Sequence, residues 1–81
     1  MMPKFDPAAN PTAERMGKRI RIKVEALSLT VPKAASACNL SQATFETYLY
    51  GKNMPGPVAL VGLAHGLRCT ADWLLGREAS Q

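Results

Sequence analysis

Between Leu40 and Gly51 the chain carries a set of side chains with one kind of chemistry in common. Gln42 holds a donor and an acceptor side by side, Glu46 accepts only, and Ala43, Thr44 and Thr47 offer small methyl groups, two of them with a hydroxyl. These are groups that read base edges. Gln bonds adenine bidentately, a small methyl touches the thymine methyl, and a carboxylate accepts from the cytosine amino group. No Arg or Lys lies in the stretch, so the commonest specific contact, Arg to guanine, is not offered by it. Such a set suits a mixed or A·T-containing half-site, with much of the affinity drawn from phosphates.

The element that must present them is a helix over 41–50. Ser41 is a good N-cap, because its hydroxyl can accept from an otherwise unpaired backbone N–H. Phe45, Tyr48 and Leu49 recur at i, i+3, i+4 and form the face turned to a core. Gly51 ends the helix where a left-handed residue is usually needed. Gln42, Ala43, Thr44, Glu46, Thr47 and Tyr50 then face outward, at the end of a helix that enters a major groove in a helix-turn-helix.

The elements behind this helix follow from caps and spacing. Asn10-Pro11 reads as a cap and first-turn proline opening a helix to about Leu27, with Met16, Ile20, Val24 and Leu27 as its buried stripe. Its basic run, Arg15, Lys18, Arg19, Arg21 and Lys23, is either a solvated face or a flank that meets phosphates. Thr30 caps a second helix with Pro32 in its first turn, and Ala34, Ala35 and Cys38 point inward. Their small size suits two helices crossing closely. Asn39 makes the turn, since Asn tolerates left-handed backbone, and Leu40 plugs the corner. Residues 52–57, rich in Pro and Gly, form a loop before a fourth helix, whose inner stripe is Leu60, Val61, Ala64 and Leu67. Thr70 caps a short last helix, 71–75, ended by Gly76. The expectation is an all-α, compact five-helix domain over 10–76, with a disordered arm at 1–9 and a tail at 77–81.

The totals set outer bounds. Eighty-one residues make one domain, whose small core would gain from dimerisation. No apolar run approaches the ~20 residues of a membrane span, and no signal-peptide pattern opens the chain, so a soluble, cytoplasmic protein is expected. A net charge of +4 suits a polyanionic partner without requiring one. Cys38 and Cys69 belong to no C-x-x-C pair and read as small buried hydrophobes. With one histidine in the chain they cannot complete a zinc set, so no metal or other cofactor is expected. His65 has no evident partner nucleophile, and no carboxylate pair or phosphate-cradling loop is present, which argues against an enzyme and leaves no small-molecule site evident.

The sequence resembles the lambda-repressor and Cro-like helix-turn-helix family, also called the xenobiotic-response-element family, over about Met16 to Gly76. The matching pieces are Met16-Gly17-Lys18-Arg19-Ile20-Arg21, Leu29-Thr30, Leu40-Ser41 with Thr44, Gly51-Lys52 with Pro55, Leu63-Ala64, and Asp72-Trp73-Leu74-Leu75-Gly76. The resemblance implies a double-stranded DNA partner, a homodimer on a pseudo-palindromic operator, and transcriptional repression or regulation. It implies base reading by Gln42, Ala43, Thr44, Glu46 and Thr47, and phosphate contacts from Lys33, Ser41, Tyr50, Lys52, Asn53 and Arg21. Trp73, Leu74 and Leu75 are the expected dimer contact, as three large apolar residues on so short a helix exceed what one small core easily covers. The chain departs from the family at Val31, where a phosphate-gripping Gln is usual, and at Asn39, where the turn residue is usually Gly. Lys23-Val24 also inverts the usual apolar-then-Arg order. With no second effector domain in the sequence, a phage or mobile-element regulator of the bacterial cytoplasm or nucleoid is expected. The alternative is a protein-interaction module, antitoxin-like or an antirepressor partner, that keeps the fold without specific DNA binding.

Overall fold

A computed structural model describes residues 12–77, and five helices and no strands occur among them. They are α1 (Ala13–Ala26), α2 (Val31–Ala37), α3 (Gln42–Leu49), α4 (Pro57–Gly66) and α5 (Ala71–Leu74). The expected arm at 1–9 and the Asn10-Pro11 helix start lie outside the described residues. The described helix begins instead at Ala13, where the Thr12 hydroxyl accepts from the Arg15 N–H at 3.1 Å.

Each boundary has a chemical cause. Thr12, Thr30, Ser41 and Thr70 all cap in the same way, the hydroxyl accepting the N–H three residues on. Gly56 opens α4 without a side-chain cap, and Pro57 follows it, where a missing N–H costs nothing. All five helices close with the same paired hydrogen bonds around a left-handed residue, as in Leu29 N–H to Val24 O and Ser28 N–H to Glu25 O. Two of these closures use glycine, at Gly51 and Gly76; the other three use Ser28, Asn39 and Arg68 at φ of 55°, 59° and 57°.

A left-handed residue with a Cβ is strained by about 1–2 kcal/mol, while glycine costs about 0.5–1 kcal/mol in lost chain entropy. Ser28→Gly and Arg68→Gly are therefore each expected to stabilise the domain, by up to about 1 kcal/mol, and to raise Tm by a few degrees. A calorimetric melt checks this; a lower Tm for either variant would show that the closure is not strained.

The core runs through every helix: Met16, Ile20 and Val24 of α1, Ala34 and Ala35 of α2 with Cys38, Phe45 and Leu49 of α3, Leu63 of α4 with Leu67, and Trp73 and Leu74 of α5. Leu27, expected in the α1 stripe, is half-buried at the helix end. The α4 stripe needs correction as well. Leu63 is fully buried, whereas Val61 is 67% exposed. The helix is apolar nearly all round, so its period alone did not show which side meets the core.

Two contacts seat α3. It packs chiefly on α1 and α2. Gly17 lets the α1 backbone approach the end of α3, since a Cβ there would lie 2.7 Å from the Leu49 carbonyl oxygen. Burial, with a smaller contribution from nearby Cys69, raises the Cys38 thiol to about 11, so it is protonated at neutral pH. It serves as packing beneath the turn into α3.

Candidate nucleic-acid interface

The first turn of α3 is organised by its cap. Ser41 Oγ accepts from the Thr44 N–H at 3.1 Å and donates its own hydrogen to Thr44 Oγ1 at 2.9 Å. That pair uses hydrogen-bonding capacity that Ser41 and Thr44 would otherwise offer outward. Gln42 and Ala43 are exposed, while Thr44, Glu46 and Thr47 are half-exposed. Behind them Phe45 and Leu49 are buried, so the helix cannot turn its other side outward without emptying the core.

Two further bonds order the outward face of α3. Gln42 Nε2 donates to Glu46 Oε2 at 3.3 Å, one helical turn on. Thr47 Oγ1 donates to the Ala43 carbonyl at 3.0 Å, which engages the hydroxyl with the helix backbone and leaves the methyl as its outward chemistry. The result is an amide restrained by a carboxylate, flanked by methyl groups.

The flanks of α3 are lined by other expected site residues. On one side a groove of about 170 Å³ is lined by Ala43, Glu46, Thr47, Tyr50 and Lys52. On another, a groove of about 400 Å³ is lined by Thr44, Thr47, Tyr48, Asn53 and Met54. A third, of about 410 Å³, runs between the first turn of α2 and that of α3, with Pro32, Ser36, Ser41 and Gln42 in its walls. Lys52, Asn53, Tyr50 and Ser41 thus gather around the residues expected to meet base edges. Lys33 is exposed in the first turn of α2, its N–H held by the Thr30 hydroxyl at 3.3 Å. Arg21 is exposed on α1 and lines none of these three grooves. Val31 is half-buried against the core.

The basic run of α1 divides in a way its spacing did not reveal. Arg19 and Lys23 lie over the Trp73 ring, 5.1 and 4.8 Å from its centroid. Lys18 and Arg21 remain exposed. The i, i+4 spacing of Arg19 and Lys23 was the available sign that two cations share a face, but nothing local identified an indole fifty residues on as what they cover.

The premise for a dimer contact at 73–75 is corrected by the same geometry. Trp73 is 7% exposed and Leu74 fully buried within one chain, and only Leu75 of the three is half-buried. One small core covers them after all, with help from the two cations. Among the described residues no group of His, Cys, Asp and Glu is placed to hold a metal ion, and no helix is long and apolar enough to cross a membrane.

No family model and no curated protein sequence matches the chain. Among solved structures it is similar to the DNA-binding domain of the P22 c2 repressor (1–76) in solution, at 26% identity and a TM-score of 0.73, over 82% of this chain and 87% of that one. It is similar to the P22 c2 repressor in complex with a synthetic operator, at 24% identity and a TM-score of 0.72, over 78% and 96%. The restriction-modification controller protein C.AhdI from Aeromonas hydrophila matches at 21% identity and a TM-score of 0.72, over 76% and 94%. The chain has the lambda-repressor-like helix-turn-helix fold.

Proposed function

We propose that this chain is a sequence-specific, double-stranded DNA-binding transcriptional regulator, of repressor type, that reads the major groove with α3. One observation carries the reading. Gln42 and Ala43 stand exposed in the first turn of a capped helix whose opposite side is buried, so a base-edge set faces outward on a rigid element. The likeness to a repressor solved on its operator supports it. Lys33, Ser41, Tyr50, Lys52, Asn53 and Arg21 are the proposed phosphate contacts, and Thr44, Glu46 and Thr47 complete the reading face. The chain acts without catalysis, in the bacterial cytoplasm or nucleoid, as a homodimer on a pseudo-palindromic operator with half-sites about 34 Å apart.

One observation favours the second reading, a protein-interaction module. Val31 packs half-buried at a position where the family usually grips a phosphate. The two readings part on salt. A DNA reader shows a mobility shift that weakens steeply as salt rises, because phosphate contacts release counterions; an interaction module gives no such shift.

Within the first reading, the two classes of contact are expected to fail differently. Gln42→Ala loses roughly 1–3 kcal/mol on the preferred site and relaxes the sequence at one position. Lys52→Ala weakens all sequences alike and lowers the salt slope by about one. Titration of matched and mismatched duplexes checks this, and equal loss of discrimination from both variants would refute the division of roles.

A further inference from the structure

We infer that Glu46 is a positioning residue, whose carboxylate holds the Gln42 amide in one polarity so that α3 takes adenine and rejects guanine at the base Gln42 meets. The inference rests on the proposed function and deepens it by naming the group that sets specificity at one base pair. Gln42 Nε2 donates to Glu46 Oε2 at 3.3 Å, across one helical turn. A carboxylate only accepts, so it takes the nitrogen end of the amide and repels the oxygen end. Without it, a half-turn about the last side-chain bond would exchange the two ends.

The surroundings leave the carboxylate to the amide. Among the described residues Glu46 makes no ion pair. Its neighbours give their hydroxyl hydrogens elsewhere, Thr47 to the Ala43 carbonyl at 3.0 Å and Ser41 to Thr44 Oγ1 at 2.9 Å. A negative charge on a face that meets a polyanion weakens binding to every sequence alike. What it returns here is selectivity.

The groups left on the amide decide which purine fits. Glu46 holds one of the two amide hydrogens, which leaves one N–H and Oε1. Adenine presents the complement, N7 as acceptor and the N6 amino group as donor, whereas guanine presents two acceptors, N7 and O6. An unrestrained glutamine can turn its NH2 group to guanine and give both hydrogens. Gln42 held by Glu46 has only one to give, and its Oε1 is set against O6. Docking on the duplex excludes water from the pair, which strengthens the bond as the base is read.

Binding of the 81-residue chain to duplexes that differ only at the base pair relaxed by Gln42→Ala tests the inference. The parent is expected to prefer adenine to guanine there by roughly tenfold or more, the discrimination of one good bidentate pair. Glu46→Ala is expected to bring the two within about threefold, leave the other positions of the site unchanged, and bind unrelated duplex no more weakly. Glu46→Gln keeps the side-chain length but donates as well as accepts, so it fixes no polarity and is expected to lose the preference too. In the Gln42→Ala background, Glu46→Ala is expected to change nothing further at that position, since the two residues act as one unit. A residue that only supports the helix would lower binding to all duplexes alike and leave the adenine-to-guanine ratio intact; that result overturns the inference. So does a Glu46→Ala variant that loses preference at a different base pair, which would make Glu46 a reader in its own right, or a parent that prefers another base where Gln42 reads. In each of these cases the DNA reading stands. A parent that binds all duplexes alike, or none, removes the DNA reading and the inference together.

Discussion

Phe45→Ala is expected to destabilise the domain by about 3–5 kcal/mol, the usual cost of deleting a buried aromatic side chain and leaving its cavity. Phe45 is fully buried on the inner face of α3, which packs chiefly on α1 and α2. A small domain holds roughly 5 kcal/mol or a little more in total, so this one change should leave little folded protein at 37 °C. Phe45→Leu fills most of the volume and should retain the fold with a lower Tm. Thermal melts by circular dichroism decide. A Phe45→Ala variant that melts within a few degrees of the parent would mean that α3 presents a different face to the core, and the outward assignment of Gln42 would fall with it.

Gly66→Ala is the second large effect, and its sign is informative. Helix propensity alone favours alanine by about 1 kcal/mol at a helical glycine. Here a Cβ would lie 2.6 Å from both the carbonyl carbon and oxygen of Ala37 and 2.7 Å from the nitrogen of Cys38. All three are backbone atoms of the turn that leads into α3, so no side chain can swing aside. Separating α4 from that turn is a small-to-large change in a packed interface, which costs about 1–3 kcal/mol and more than cancels the propensity gain. Gly56→Ala, where a Cβ meets nothing within 4 Å, should cost only the poorer helix start that alanine gives at the N-cap, about 0.5–1 kcal/mol. Denaturant melts of the two variants side by side test this; a Gly66→Ala variant as stable as the parent would show that α4 does not bear on the turn.

The parts of the fold that were legible in the sequence are those where neighbouring positions differ sharply in chemistry. On α3, Phe45 and Leu49 alternate with polar residues, so the period identifies one inner face, and that face is the buried one. The hydroxyl caps at Thr30, Ser41 and Thr70 were equally plain, because each stands just before an apolar repeat and does the same local work. α4 was not legible in this way. From Pro57 to Ala64 it carries no charged group, and a stripe through Leu60 and Val61 was as good on paper as the observed one through Leu63.

Long-range pairings were hidden for a different reason. The basic run on α1 looks uniform along the chain, yet Arg19 and Lys23 cover Trp73 while Lys18 and Arg21 face solvent. The same contact covers Trp73, one of the three apolar residues at 73–75 that seemed too many for one core. Similarly, Asn39 announced its left-handed turn, whereas Ser28 and Arg68 adopt the same backbone with side chains that give no sign of it. At the candidate interface the residue types gave the functional groups that α3 turns outward. The bonds from Gln42 to Glu46 and from Thr47 to the Ala43 carbonyl, which decide what each group has left to offer, needed three-dimensional geometry.

Selection of bound sequences from a random duplex library by the 81-residue chain tests the central claim, that α3 reads base edges, more directly than any other measurement. The expected result is recovery of two related half-sites about one helical turn apart, with adenine or thymine prominent in each. Gln42→Ala is expected to select the same site with one position per half relaxed. Recovery of no shared sequence at low salt, or an unchanged motif from the Gln42→Ala variant, would contradict it.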